Sequence, residues 1–155
     1  MTTFKKSLIL AMALGVASFA ASADDLVGTI GKGKGGRTTV ALDLITSGQS
    51  SVFEFVVDVP KGATNVDVSQ CLKAIPSTHL AKCEYNAQTG EVIGIAYSTT
   101  NALLPKGSVD LGTVTFNSSL LKGGKGATIR GLQVGNNVGA EIPSAIQIED
   151  TLLGK

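Results

Sequence analysis

One histidine and two cysteines, His79, Cys71 and Cys83, are the residues of this chain best suited to bond-making chemistry. A Ser-His-Asp or Cys-His hydrolase needs a histidine base, and His79 is the sole candidate, beside Pro76-Ser77-Thr78 and between the two cysteines. Nothing assembles a triad around it. A zinc site needs three or four nitrogen or sulfur ligands, which the chain lacks once its cysteines are paired. The acids, 12 in all, include no pair that the sequence marks for a raised pKa, so the chain is not read as an enzyme. The run Gly31-Lys32-Gly33-Lys34-Gly35-Gly36 invites comparison with a phosphate loop. It lacks the G-x-x-x-x-G-K-[ST] spacing and leads through Arg37-Thr38-Thr39-Val40 into a strand rather than a helix N-terminus, so a turn is expected. No cofactor is expected. Calcium is the one ion with oxygen donors in view, at Asp67, Asp110 and Glu149-Asp150, though no loop has EF-hand spacing.

The compartment is set by the first 23 residues. Lys5 and Lys6 form a positive region, Leu8 to Ala20 an apolar core, and Ala21-Ser22-Ala23 a small-x-small cleavage site. This apolar run is too short for a membrane anchor, which needs about 20 residues. The expectation is a signal peptide over 1–23, one domain over 24–155 with no membrane span, and a secreted, extracellular or periplasmic location. Cys71 and Cys83 then reach an oxidising space and pair with each other. C-x11-C lacks the geometry of a redox C-x-x-C site. Of the 13 lysines and arginines, two leave with the leader, so 11 face 12 acids and the net charge is −1. The lysines are dispersed through Gly-rich turns, which gives nucleic acid no basic patch to bind.

The elements that position these residues are strands. Gly90 to Phe116 organises the chain: Val92, Ile93, Ile95 and Tyr97 form one strand, Val109, Leu111, Val114 and Phe116 another, and the polar stretch Ser98 to Ser108 crosses between them, from one sheet to the other. Before it, Leu26 to Ile30 is a short strand and Thr39 to Thr46 alternates around Val40, Leu42 and Leu44. Val52 to Val59 puts Phe53, Phe55, Val57 and Val59 on a core face opposite Val52, Glu54, Val56 and Asp58. Thr64 to Cys71 alternates again, Leu72 to Lys82 is irregular, and Cys83-Glu84-Tyr85 resumes a strand. After Phe116 come a Gly-Lys-rich connection to Gly126, a strand from Ala127 to Val134 with a bulge at Gly131, a turn at Gly135-Asn136-Asn137, and a last strand through Ala145, Ile146 and Ile148, with Leu152-Leu153 as its continuation. No helical periodicity appears after the leader. The fold class is all-β, an antiparallel jelly-roll sandwich of about nine strands.

In order, GRTTVALDLITSG, FEFVVDVP, GEVIGIAYS, KGSVDLGTVTF, GATIRGLQVGNNVG and SAIQIED resemble the cohesin domain, a relative of cellulose-binding modules, over nearly all of Asp24 to Lys155. The resemblance implies a nine-stranded jelly roll that docks the small calcium-loaded helical dockerin on a sheet face including the FEFVVDVP and GEVIGIAYS strands. Carried onto this chain, that face includes Ser50, Val52, Glu54 and Val56. Two other readings stay open. A detachable N-terminal strand before the Gly31 to Gly36 hinge would let the domain assemble with itself into a surface or fibre subunit. Polysaccharide binding, inherited from the wider superfamily, is opposed by the absence of Trp from the chain.

Overall fold

The computed structural model describes residues 23–118 and 126–152; residues 1–22 of the expected 1–23 leader, most of the Gly-Lys-rich connection and Leu153 lie outside the described residues. Nine strands follow one another: β1 (Asp24–Lys32), β2 (Thr38–Thr46), β3 (Ser50–Asp58), β4 (Thr64–Asp67), β5 (Leu80–Asn86), β6 (Glu91–Tyr97), β7 (Gly107–Asn117), β8 (Thr128–Asn136) and β9 (Ser144–Asp150). They form two sheets, ordered β4-β7-β2-β1-β9 and β5-β6-β3-β8. The stretch Ser98 to Lys106 carries the chain from the second sheet to the first, as the polar composition of that connection predicts. Every pairing between strands is antiparallel except one: β9 lies parallel to β1, with Asp24 opposite Ser144 and Ile30 opposite Asp150. The sandwich is therefore mixed at that edge, because β9 arrives from β8 at the same end at which β1 begins.

Alternation builds the core. Leu26 and Ile30 from β1, Val40, Leu42 and Leu44 from β2, Phe53, Phe55 and Val57 from β3, and Leu111, Val114 and Phe116 from β7 meet in one cluster, all of them essentially inaccessible. β6 contributes small residues, Gly94 and Ala96, to this interior, and Gly94 lies directly across from Phe55. A methyl group at Gly94 would overlap the Phe55 ring. Gly131 does form a bulge: Glu54 pairs Gln133 while Val56 pairs Arg130, and Gly131 has φ +67°.

The expected strand Thr64 to Cys71 is shorter than its pattern, ending at Asp67. The Asp67 carboxylate accepts the Ser69 amide at 2.8 Å, and the Cys71 amide bonds the Val68 carbonyl at 2.9 Å, so the chain turns instead of extending. The Ser69 amide, with a second hydrogen bond from the Ser69 side chain, holds Asp67 below the usual carboxylate range. Leu72 then adopts φ +58°, donates its amide to Leu111 and buries its side chain in the core. Gly112 accommodates this approach, since a Cβ there would overlap the Gln70 carbonyl. The segment is held by a disulfide between Cys71 and Cys83, whose Cα atoms are 6.0 Å apart, which ties the exit of β4 in one sheet to β5 in the other. The irregular stretch thus has more apolar anchorage than its composition suggests, because Leu72 is buried and Ile75 packs on the core.

Candidate protein-binding face

The outward residues of the β5-β6-β3-β8 sheet form rows fixed by register. Leu80, Tyr97, Val52 and Gly135 make the first row, and Lys82, Ile95, Glu54 and Gln133 the second. Glu84, Ile93, Val56 and Arg130 make the third, and Asn86, Glu91, Asp58 and Thr128 the fourth. Because β6 sends its smallest side chains inward, its bulky ones face out. Ile93 is 40% exposed, Tyr97 43% and neighbouring Leu80 55%. An antiparallel sheet with one solvated face ordinarily presents polar residues there, so this stripe of large apolar side chains is a candidate contact surface.

The polar end of the face closes on itself. Arg130 bonds Asp58 through Nε at 2.7 Å and Nη2 at 3.1 Å, and pairs with Glu91 through the same Nη2. These partners, the Asp58 hydrogen bond first, hold the guanidinium above its ordinary pKa. Lys82 and Glu84 pair at 2.6 Å. Glu54 has no such partner among the described residues, and neither has Glu141.

Of the four face residues expected from the sequence, Val52 and Glu54 lie together on this surface. Val56 shares the face but is only 9% exposed and stands outside the core cluster, flanked on β6 by Ile93 and on β8 by Arg130. Ser50 is a correction. It is 0% exposed, with its hydroxyl bonded to the buried Asp24 carboxylate, which also accepts the Ser47 amide at 2.8 Å. A register irregularity between Ser50 and Val52 turns Ser50 inward, so it touches no partner on this face.

Val52 and Glu54 floor a shallow open depression of about 300 Å³, completed by Ile95, Gln133, Gly135 and Glu141. Its far wall is the β8–β9 loop, which Asn136 organises. The Asn136 side-chain oxygen accepts the Val138 amide at 3.0 Å and the Ala140 amide at 2.8 Å, while its own amide bonds the Ala140 carbonyl at 2.9 Å. Gly139 takes φ +81° to make the turn, and an isolated bridge pairs Glu141 with Gly135. The turn is legible as Gly135-Asn136-Asn137; Glu141, which it delivers to the face, is not.

The other chemical candidates are dispersed. His79 is buried, Nδ1 is 3.0 Å from the Thr78 hydroxyl, and Nε2 has no partner. Asp110 accepts the Gly112 amide at 2.7 Å and Asp150 the Leu152 amide at 2.9 Å, so these two carboxylates, like Asp67, bend their own backbones. Among the described residues no three His, Cys, Asp or Glu side chains gather to hold a metal. No helix of the described residues is long and apolar enough to cross a membrane.

Solved structures place this architecture. The chain superposes on a type II cohesin from Bacteroides cellulosolvens with a TM-score of 0.59 at 11% identity, over 82% of this chain and 99% of that one. A type I cohesin–dockerin complex from Clostridium thermocellum gives 0.56 at 10% identity, covering 83% and 94%. A non-cellulosomal cohesin from the archaeon Archaeoglobus fulgidus gives 0.52 at 14%, covering 81% and 88%. No family model matches the sequence, and no curated protein does. The fold is that of a single cohesin-like module, and its nine strands match the resemblance read from the sequence.

Proposed function

We propose that this protein is an exported, non-catalytic binding module that docks a protein partner on the outer face of the β5-β6-β3-β8 sheet. The observation that carries the reading is the water-facing row of Leu80, Tyr97 and Val52, extended by Ile95 and Ile93, beside a carboxylate without a partner. Aromatic and aliphatic side chains grouped on a rigid sheet are what a protein interface uses as anchors. Structurally similar cohesins from Clostridium thermocellum and Acetivibrio cellulolyticus are described in complex with dockerins. A dockerin-like module, small and helical, is accordingly the partner proposed here, laid across the strands with apolar side chains on Tyr97 and Ile95.

Surface plasmon resonance of the mature protein against type I and type II dockerin modules tests the reading. Retention of one of them is expected, weakened at least tenfold, or about 1.4 kcal/mol, by Ile95→Asp with Tyr97→Ala and unchanged by Thr113→Ala on the opposite sheet. Equal retention by the Ile95/Tyr97 variant, or no retention of any dockerin, would end it. Export itself is checked by the N-terminal sequence of protein recovered outside the cytoplasm, which should begin at Asp24.

A further inference from the structure

Resting on the docking reading above, we infer that the depression beside Val52 receives one lysine or arginine side chain of the partner protein, its stem against Val52 and Ile95 and its charged head between Glu54 and Glu141. The face treats its acids unequally. Asp58 and Glu91 share Arg130, and Glu84 pairs with Lys82, whereas the two carboxylates that line the depression have no cation or hydrogen-bond donor among the described residues. Two like charges that line one concavity without an internal partner offer an incoming cation an attraction that the paired acids of the face do not.

Shape and rigidity favour a long cationic side chain. Lysine and arginine carry their charge on an apolar stem, and here Val52 and Ile95 line the depression together with the carboxylates of Glu54 and Glu141. The Glu141 wall is prearranged by the Asn136 hydrogen bonds and the Gly135 bridge, so little ordering is required on binding. Gln133 adds an amide oxygen able to accept a further guanidinium hydrogen, which favours arginine. The surrounding row fixes the partner's pattern as well. Adjacent strands lie about 4.8 Å apart, which places Tyr97 about 5 Å and Leu80 about 10 Å from the Val52 position. One helical turn rises about 5.4 Å, so a helix crossing the strands would present the cation followed by apolar residues one and two turns away.

The test is an amide-resolved NMR titration of the mature protein with an alanine-based helical peptide carrying arginine and leucines four and seven residues on, against its glutamine-for-arginine twin. The arginine probe is expected to shift the amides of Glu54, Ile95, Gly135 and Glu141 and to bind at least tenfold more tightly than the twin. Glu54→Gln with Glu141→Gln should erase that ratio. Equal binding of the two probes, a ratio untouched by the double variant, or shifts at the same amides on dilution of the protein alone, which would mean that a second copy fills the depression, each overturn the inference. Loss of both probes in Tyr97→Asp with an unchanged arginine-to-glutamine ratio in the double variant would sink the cation site while leaving the docking face standing. Binding indifferent to Tyr97→Asp would take the face as well.

Discussion

Gly94 decides which side of β6 faces water. Its neighbours Ile93, Ile95 and Tyr97 are the bulkier set, so periodicity alone would turn them to the core. The core instead holds Phe55, whose ring occupies the volume where a Gly94 side chain would stand. Gly94→Ala should therefore cost about 2 kcal/mol through overpacking, read as a lower midpoint in urea unfolding at unchanged slope. A change within error would mean that the Phe55 ring has room to move aside. His79 gives a second prediction at this scale. Burial lowers its pKa below the ordinary 6.5, so as pH falls past that value the unfolded chain takes up the proton first. Stability from this residue is complete above about 6.5 and declines as the pH drops toward the native-state value. Thermal unfolding between pH 8 and 5 should show the decline, and His79→Leu should flatten it; parallel profiles would assign the dependence to other groups.

At the scale of elements, the segment 68–79 joins the two sheets along the side where β4 and β5 are both edge strands. Cys71→Ser with Cys83→Ser should lower stability by about 2 kcal/mol and speed amide exchange between Leu72 and His79, leaving the strands folded. Leu72, buried and bonded to Leu111, is the reason that this loop should loosen rather than detach. Two alkylatable thiols in freshly purified protein would show that the bridge is not formed. Strand existence was legible at this scale because alternation around Val40, Phe53 and Val114 is a local property. The end of β4 was less so, since the Val66 and Val68 alternation continues past the point where Asp67 bends the chain. The face was legible in part. Val52 and Glu54 follow from the period of β3, but Ser50 lies beyond an irregularity that reverses its side, and Leu80 and Glu141 reach the site from residues distant in sequence. No local pattern carries such a juxtaposition.

Seen whole, the molecule leaves its first strand no freedom to leave. β1 pairs over eight positions with β2 and seven with β9, and sends Leu26 and Ile30 into the core. It is an interior strand, and the expectation of a detachable arm before a glycine hinge does not fit that position. Amides of Leu26, Gly28 and Ile30 should be among the slowest to exchange, and size exclusion at high concentration should give a monomer. Rapid exchange along β1, together with higher oligomers, would restore strand donation as a route to assembly. The depression and the apolar row lie at the opposite pole from the Gly31 to Gly36 loop, so a partner could dock without disturbing it.

The parallel pairing of β1 with β9 also bears on how such a domain would carry load. Asp24 opens β1 at one pole, and Asp150 closes β9 at the other. Tension applied through both would slide the two strands lengthwise past each other, straining all seven register pairs at once. A hairpin pulled from its open end instead gives way one pair at a time, and at much lower force. The topology that places β9 beside β1 therefore makes the domain resist lengthwise pulling between Asp24 and Asp150 better than a hairpin of the same seven pairs would.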